Sequence, residues 1–296
     1  MKDNIIGTLI GLAVGDAVGT TVEFSIRGTF PPVTDMVGGG PFDLEAGQWT
    51  DDTSMALCLA DSIINSDFDL NDQMDRYVAW WQEGYLSSNG TCFDIGFTTR
   101  LALASYREDG NPYAGDEGTM SAGNGALMRI APVIMAYHGR ADFNHLAIES
   151  TRTTHPTLMC LDASVYFCNA VKRAYTSRDK NIIVLDDAMP YSSNIINSIA
   201  SGSFVKKKYE DLDNTGYVMH SLESAMWCFY HTDTFKDAIL KAVNLGGDSD
   251  TIAAICGQIA GAYYGLSGIP SEWVEKLAHK DLILGMANKI FDKYGA

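Results

Sequence analysis

The chain has 296 residues, of which 46% are hydrophobic and 20% are charged, a composition that excludes disordered and fibrous proteins. Its formal net charge of −16 argues against a nucleic-acid partner, because such binding depends on Lys and Arg side chains that neutralise phosphates. The length is within the range that one hydrophobic core can serve, and no linker rich in Pro, Ser or Gly divides it. We therefore expect a single domain over residues 1–296.

The N-terminus and the cysteines bear on the location of the protein. The apolar segment 5–14 is shorter than the roughly 20 residues that a membrane span needs, and only Lys2 precedes it as a basic residue. We expect a buried helix there and no membrane span. Six cysteines are scattered without a C-x-x-C pair. Because most of them lie in apolar runs, as reduced core thiols do, the sequence indicates a cytoplasmic protein.

Apolar residues recur with helical spacing along the chain, and the alternation typical of strands is not sustained. The stretches with helical spacing are 70–81, 95–106, 124–137, 157–175, 218–230, 235–243, 251–265 and a segment that opens at 271. Thr234 is placed to cap the helix that follows it. The strand-like run 182–185 is short and isolated, and the polar region 176–215, with lysines at 206–208, predicts a surface excursion. The sequence predicts an all-α fold.

Two apolar segments carry a glycine at every fourth residue. They are Gly7, Gly11, Gly15 and Gly19 and, near the other end of the chain, Gly257, Gly261 and Gly265. A glycine inside a helix costs about 1 kcal/mol relative to alanine, so a repeated glycine face indicates that another backbone approaches it closely. We expect two central helices that pack tightly together.

Two short motifs each place two carboxylates and at least one hydroxyl where a helix begins. They are Thr50-Asp51-Asp52-Thr53-Ser54 and Asp248-Ser249-Asp250-Thr251. Capping uses one side chain per helix, and an acid there gains about 0.3–1 kcal/mol from the helix dipole. Capping therefore accounts for one aspartate in each motif and leaves the other unexplained.

A metal site would account for both aspartates of each motif. Carboxylate and hydroxyl oxygens are hard ligands that favour Mg²⁺, Mn²⁺ or Ca²⁺, and neither motif contains sulfur or imidazole. If the two motifs converge and Glu23 joins them, five carboxylates share one small volume. Such a group stays ionised only with cations among it, and two divalent ions would supply four positive charges. The spacing of about 200 residues leaves convergence open.

The motifs resemble those of the ADP-ribosylglycohydrolase family. Seven segments match in order over nearly the whole chain: 15–23, 49–53, 90–96, 123–129, 154–156, 215–218 and 246–251. The stretch Cys92-Phe93-Asp94-Ile95-Gly96 is most similar to the bacterial branch that includes the dinitrogenase-reductase-activating glycohydrolase. Any one motif is weak evidence, whereas seven in order are strong.

The resemblance implies a compact orthogonal multi-helix bundle around a dinuclear metal site that binds Mg²⁺ or Mn²⁺. The metal ligands that it implies, position by position, are Glu23, Thr50, Asp51, Asp52, Asp248, Asp250 and Thr251. It further implies that the phosphates and riboses of the ligand contact Ser121, Gly123, Asn124 and Gly125. His155 is expected near the site, with a structural role as the alternative.

The implied activity is hydrolysis of the N-glycosidic bond between ADP-ribose and a side chain of a modified protein, with arginine favoured, and ADP-ribose as product. Glu23 is the expected water-activating residue, since it lies outside the two aspartate motifs. Asp94 is expected to contact the substrate ribose or the leaving guanidinium, with N-capping before Ile95 as the alternative. Tyr217 is expected either to stack on adenine or to be a core aromatic.

Three other activities stay open on the sequence. They are hydrolysis of serine-linked or polymeric ADP-ribose, a metal-dependent phosphoesterase, and a non-catalytic ADP-ribose binder. Phosphoesterase metal sites commonly recruit histidine, and none of the six histidines lies in the aspartate motifs. The family implies a monomer.

Overall fold

A computed structural model describes residues 1–186 and 190–295. Over these residues the chain is all-helical, with 62% of it in helices and no strand, which confirms the predicted fold class. The α-helices are α1 Lys2–Gly19, α2 Asp51–Ser66, α3 Leu70–Glu83, α4 Phe97–Asp109, α5 Ala131–Tyr137, α6 Phe143–Arg152, α7 Leu158–Ala174, α8 Lys180–Val184, α9 Asn194–Ala200, α10 Val218–Tyr230, α11 Phe235–Val243, α12 Ser249–Tyr264, α13 Ser271–Lys276 and α14 Lys280–Tyr294. Short 3-10 turns follow α1, at Thr20–Val22, and α12, at Leu266–Gly268.

Helices α1 and α12 pack against each other along their glycine faces. A methyl group added at Gly11 would overlap the carbonyl oxygen of Gly257, and one added at Gly7 would overlap that of Gly261. The obstacles are backbone atoms, which cannot rotate aside as a side chain can. The expected pair of tightly packed central helices is confirmed. Gly265 ends α12 with a φ of +77° and also lies against α1, where an added methyl group would overlap the Asp3 side chain.

Helix α1 is the buried N-terminal helix that the sequence predicts. By length and apolar composition the stretch Lys2–Val22 could cross a membrane, but 94% of its apolar window is buried inside the structure. Its apolar side chains, including Leu9, Ile10 and Val14, are fully enclosed by neighbouring helices. The segment is therefore the central helix of the fold.

Most predicted helices are confirmed to within a few residues, and the hydroxyl of Thr234 caps α11 by accepting the Asp237 N–H. Two stretches differ. Over 124–137 only α5 is helical, because the chain first turns through Gly125 and Pro132 then occupies the first turn of the helix. The run 182–185 lies mainly in α8, where Ile183 and Val184 are fully buried and Ile182 is exposed, so packing of one helix face overrides the strand preference of β-branched residues.

The polar region 176–215 is partly anchored in the core. Ile196 and Phe204 are fully buried, so the expected surface excursion holds only for the exposed parts of this region. Residues 187–189 lie outside the described part. In the lysine run, Lys206 and Lys208 are exposed as expected. Lys207 differs, since its Nζ lies 2.6 Å from a carboxylate oxygen of Glu223.

Candidate metal centre and substrate cleft

The two aspartate motifs meet at the C-terminal end of α1. The last glycine of the α1 face, Gly19, lies against the backbone of Asp250 with no room for a methyl group. The hydroxyl of Thr50 is 3.4 Å from Oδ2 of Asp250, and the hydroxyl of Thr251 is 3.4 Å from Oδ2 of Asp52. The packing of α1 on α12 thus brings together residues that are about 200 positions apart, and the motifs do converge.

Asp16, in the last turn of α1, caps helix α2. Its carboxylate accepts the N–H of Thr50 at 2.9 Å and the N–H and hydroxyl of Thr53 at 3.0 and 2.6 Å. No side chain within the Thr50 motif makes a capping hydrogen bond of its own. The expectation that capping accounts for one aspartate of this motif is therefore wrong. Because Asp16 satisfies the helix terminus from outside, both Asp51 and Asp52 are left for the site.

At the start of α12 the motif's own Asp250 accepts a first-turn N–H, that of Thr251, at 2.8 Å. Asp248 is the N-cap residue by position, yet its side chain makes no capping hydrogen bond. Its Oδ2 instead accepts the side-chain amide N–H of Asn124 at 2.7 Å. That amide is also 2.8 Å from the hydroxyl of Ser221. The Asn124 side chain therefore holds Asp248 in place.

Six carboxylates surround the convergence point, and we refer to them as the acidic cluster. They are Glu23, Asp51, Asp52, Asp94, Asp248 and Asp250. One oxygen each from Glu23, Asp94 and Asp250 lies within 4.8 Å of the other two. Among the described residues, Oε2 of Glu23 and Oδ1 of Asp52 are buried without any hydrogen-bond donor. Buried, crowded carboxylate oxygens without donors are suited to bind a divalent cation.

Asp94 belongs to the acidic cluster and does not cap a helix. Helix α4 begins at Phe97, and its N-cap position is Gly96. The backbone of Asp94 has a φ of +58°, a left-handed conformation that is uncommon for residues other than glycine. The alternative of N-capping is thus wrong. The turn directs the Asp94 carboxylate toward Glu23 and Asp250.

Burial and mutual repulsion raise the pKa values in the acidic cluster. Burial, followed by repulsion from Asp94 and Asp248, raises the pKa of Glu23 to about 9. Burial, followed by repulsion from Asp248, raises the pKa of Asp94 to about 7. The pKa of Asp250 is raised well above its ordinary value, first by burial. Without cations the cluster would hold protons at neutral pH, so protons and metal ions compete for the same oxygens.

A cavity of about 600 Å³ opens directly above the acidic cluster. Its walls include the predicted residues Glu23, Asp51, Asp94, Gly123, Asn124, Gly125, His155, Asp248 and Thr251. Thr50, Asp52 and Asp250 are buried beneath the cavity floor. The cavity therefore combines a deep acidic floor with a glycine-rich wall, and we call it the cleft.

Comparison with known proteins identifies the family and the fold. Residues 1–296 match the family model described as ADP-ribosylglycohydrolase. The chain belongs to the ADP-ribosylglycohydrolase family. That family is metal-dependent, which accords with the acidic cluster. A solved structure titled "ADP-ribosylglycohydrolase-related protein complex" is similar to this chain with a TM-score of 0.89 and 39% identity, over 99% of this chain and 98% of that one.

Curated relatives carry more specific names. The chain is 42% identical to "ADP-ribosylarginine hydrolase Tri1" of Serratia proteamaculans, over 98% of this chain and 79% of the relative. It is 32% identical to "ADP-ribosyl-[dinitrogen reductase] glycohydrolase" of Rhodospirillum rubrum, over 95% and 92%. It is 26% identical to "ADP-ribosylhydrolase ARH3" of Homo sapiens, over 97% and 93%. The resemblance seen in the sequence, including its bacterial branch, is confirmed.

In this ADP-ribosylglycohydrolase the glycine-rich wall is shaped by a histidine. A methyl group at Gly125 would lie 2.8 Å from Cε1 of His155, and one at Gly123 would lie 3.3 Å from its Nε2. The N–H of Asn124 donates to the carbonyl of Gly216 at 3.1 Å and is not free for a ligand. The glycines thus make room for the His155 ring as well as for a ligand.

Two predicted substrate-binding residues of this ADP-ribosylglycohydrolase lie outside the cleft walls. The hydroxyl of Ser121 donates to a carboxylate oxygen of Asp116 at 2.6 Å. Tyr217 lines a separate depression of about 330 Å³, where its hydroxyl lies 2.8 Å from the sulfur of Met159. Contact of either residue with the substrate stays a prediction.

Sequence reasoning missed two exposed aromatic residues at the mouth of the cleft. Phe24 and Phe97 are 65% and 70% exposed and line the cleft. Phe24 directly follows Glu23, so its position could have been inferred from its neighbour. Phe97 carries no such signal, because an apolar residue in a helix is normally assigned to the core.

The metal-free ADP-ribosylglycohydrolase should lose thermal stability as the pH rises from about 4 to 9. The ordinary pKa values of Glu23 and Asp94 are 4.5 and 3.8, and those in the folded protein are about 9 and 7. Between these values the folded state keeps protons that the unfolded chain has released, so unfolding becomes easier with rising pH. Melting curves in EDTA across this range measure the effect.

The Glu23→Gln variant is the control for this pH dependence. It removes a carboxyl whose pKa is raised further than that of Asp94, so its melting temperature should depend less on pH than that of the wild type. Added Mn²⁺ should restore more stability at pH 9 than at pH 5. A metal-free melting temperature that rises with pH over the same range would contradict the raised pKa values.

Proposed function

We propose that the chain is a metal-dependent hydrolase that cleaves ADP-ribose from modified arginine side chains of proteins and releases free ADP-ribose. The observation that carries this proposal is the complete acidic cluster on the floor of a cleft large enough for a nucleotide-sized ligand. The 42% identity to a relative named as an ADP-ribosylarginine hydrolase supports arginine as the attachment residue.

We propose that two divalent ions, Mg²⁺ or Mn²⁺, occupy the acidic cluster. Their ligands would be Glu23, Thr50, Asp51, Asp52, Asp248, Asp250 and Thr251. All of these offer only oxygen, the donor that both ions prefer. When bound, such ions would orient ribose hydroxyls and lower the pKa of a bound water.

The charge of the cluster favours a cationic leaving group. Six carboxylates carry six negative charges when ionised, and two divalent ions would supply four positive ones, which leaves a surplus of two negative charges. The guanidinium of arginine is positive, so its approach to the cleft would be attracted by that surplus. A neutral serine hydroxyl would gain nothing from it.

Glu23 and Asp94 have separate roles in the proposed reaction. A water oxygen bonds to the anomeric carbon of the ribose while one of its protons passes to Glu23. The bond from that carbon to the guanidine nitrogen breaks through an oxocarbenium-like state, and its electron pair stays on the nitrogen. Asp94, on the cleft wall, would hold the guanidine by hydrogen bonds and orient it as it leaves.

We further propose that one domain over residues 1–296 carries this activity, and that the protein is a cytoplasmic monomer. Cysteines 58, 160, 168, 228 and 256 are buried and free, as they are in proteins of a reducing compartment. Size-exclusion chromatography with light scattering would determine the oligomeric state, and a mass of twice the chain would contradict the monomer.

The attachment residue is tested by mass spectrometry with matched substrates. One protein is ADP-ribosylated on arginine and another on serine, and free ADP-ribose is measured over time in the presence of Mn²⁺. We expect release from the arginine-linked protein at a rate at least tenfold above that from the serine-linked one. Faster release from serine would overturn the arginine assignment. Binding of ADP-ribose without release from either protein would indicate a non-catalytic binder, and release of inorganic phosphate would indicate a phosphoesterase.

A further inference from the structure

Arg129 is a buried cation that contacts only neutral groups. Its side chain is 1% exposed, and its guanidinium donates to the hydroxyl of Thr154 at 2.6 Å and to the carbonyl of Gly125 at 3.1 Å. It also lies 4.7 Å from the centre of the Tyr77 ring. Arg129 takes part in no ion pair within 1–186 and 190–295. Burial of an arginine without a carboxylate partner costs free energy, so the position of Arg129 needs an explanation.

The hydrogen bonds from Arg129 set the proton position on His155. A guanidinium only donates, so the Thr154 oxygen is an acceptor toward Arg129. The Thr154 oxygen has room for a second incoming hydrogen bond, but its own proton would then have no acceptor. Among the described residues Nδ1 of His155, 2.8 Å away, is the one acceptor within reach of that proton, which is therefore directed at Nδ1. Nδ1 accepts this bond and therefore carries no proton. The ring stays neutral, because burial and the charge of Arg129 lower the pKa of His155 to about 3. A neutral imidazole without a proton on Nδ1 has it on Nε2.

The protonated nitrogen faces the glycine-rich wall of the cleft. His155 lines the cleft, and methyl groups at Gly123 and Gly125 would lie 3.3 and 3.1 Å from its Nε2. Among the described residues, Nε2 has no hydrogen-bond partner, whereas Nδ1 accepts the hydroxyl of Thr154. The side chain thus offers one N–H donor, in a fixed direction, to whatever occupies that wall.

We propose that Arg129 and Thr154 are positioning residues that fix His155 in its Nε2–H form, so that it donates to an acceptor oxygen of the ADP-ribose part of the substrate. The identity of this ligand rests on the proposed function, whereas the proton position rests only on the hydrogen bonds. Phosphate and ribose oxygens are the acceptors that ADP-ribose offers. Because the ring is neutral, it can donate a hydrogen bond to such an oxygen without forming an ion pair with the nearby carboxylates.

Nitrogen-15 NMR of the His155 ring in the full-length, metal-loaded protein tests the proton position first. We expect a protonated-type signal for Nε2 and an unprotonated-type signal for Nδ1, assigned with a His155→Gln variant that lacks both. Addition of ADP-ribose should shift the Nε2 signal. A proton on Nδ1 in the wild type, or a doubly protonated ring at neutral pH, would overturn the proposal without any other variant.

Three variants separate positioning from simple packing. Thr154→Val removes the hydroxyl that contacts His155, and we expect mixed proton positions and roughly tenfold weaker ADP-ribose binding. Thr154→Ser keeps the hydroxyl and should restore both. Thr153→Val is the matched control, because Thr153 is also buried and lies 3.3 Å from Arg129, but donates to the carbonyl of Ser150 and not to His155. If Thr153→Val changes the ring signals as Thr154→Val does, the role of Thr154 is structural and the proposal fails.

Failure of the proposed function gives a different result. If wild-type protein binds no ADP-ribose by calorimetry, both the proposed function and the acceptor oxygen assignment fail, whatever the NMR spectrum shows. If ADP-ribose binds but leaves the Nε2 signal unchanged, the proposed function stands and the donor role of His155 is overturned.

Discussion

Replacing Asp250 by alanine should lower kcat/KM for ADP-ribose release by at least about 1,000-fold, since a catalytic metal contributes several kcal/mol and each 1.36 kcal/mol is tenfold in rate. Asp250 lies beneath the cleft, with a carboxylate oxygen within 4.8 Å of those of Glu23 and Asp94. The variant should also bind less Mn²⁺, measured by elemental analysis after gel filtration. Turnover is followed by mass spectrometry of free ADP-ribose.

The fold should survive this substitution. Burial, followed by repulsion from neighbouring carboxylates, raises the pKa of Asp250, so removal of its carboxyl should leave the metal-free melting temperature unchanged or higher at pH 8. Asp281→Ala is the matched control, because Asp281 is also in the first turn of a helix but its side chain is 96% exposed. Full activity of Asp250→Ala, or equal losses in both variants, would contradict a role for Asp250 in binding the metal.

Alanine should have opposite effects at two helical glycines. At Gly11 the added methyl group meets the carbonyl of Gly257, and we expect the free energy of unfolding to fall by about 1–3 kcal/mol, the usual cost of overpacking. At Gly285, in the middle of α14, nothing lies within 4 Å of the added methyl group. Alanine there should raise the free energy of unfolding by about 0.5–1 kcal/mol, because glycine is the poorer helix former.

Urea unfolding of the metal-loaded protein measures both changes. Because both variants carry the same substitution inside a helix, the difference between their free energies of unfolding reports on the surroundings of the added methyl group. A stabilised Gly11→Ala variant would show that α1 and α12 are not as close as the structure has them. A destabilised Gly285→Ala variant would show that α14 packs more tightly than described.

Local patterns predicted much of the fold and the floor of the site. The four-residue glycine spacing identified α1 and α12 as close partners. Repeated glycines destabilise a helix unless another backbone packs closely against them. The two aspartates in each motif, Asp51 with Asp52 and Asp248 with Asp250, indicated a metal site, since capping needs at most one side chain. Both inferences rest on features within one segment of chain, and such features are visible in a sequence.

Features that depend on two distant segments were not predictable. Nothing around Thr50 shows that its helix is capped by Asp16, because the contact exists only once α1 packs against α2. The run 182–185 has the composition of a strand. Its helical conformation depends on the packing of Ile183 and Val184 against the core, which the sequence does not show. The proton position that we propose for His155 depends on Arg129, which is 26 residues away and carries no sequence signal for that role.

The most direct test of the account is metal removal and return. The protein is stripped with EDTA, its metal content is verified by elemental analysis, and ADP-ribose release from an arginine-modified protein is measured before and after adding Mg²⁺ or Mn²⁺. The account predicts no release from stripped protein and recovery once metal returns. Undiminished release from verified metal-free protein would contradict it.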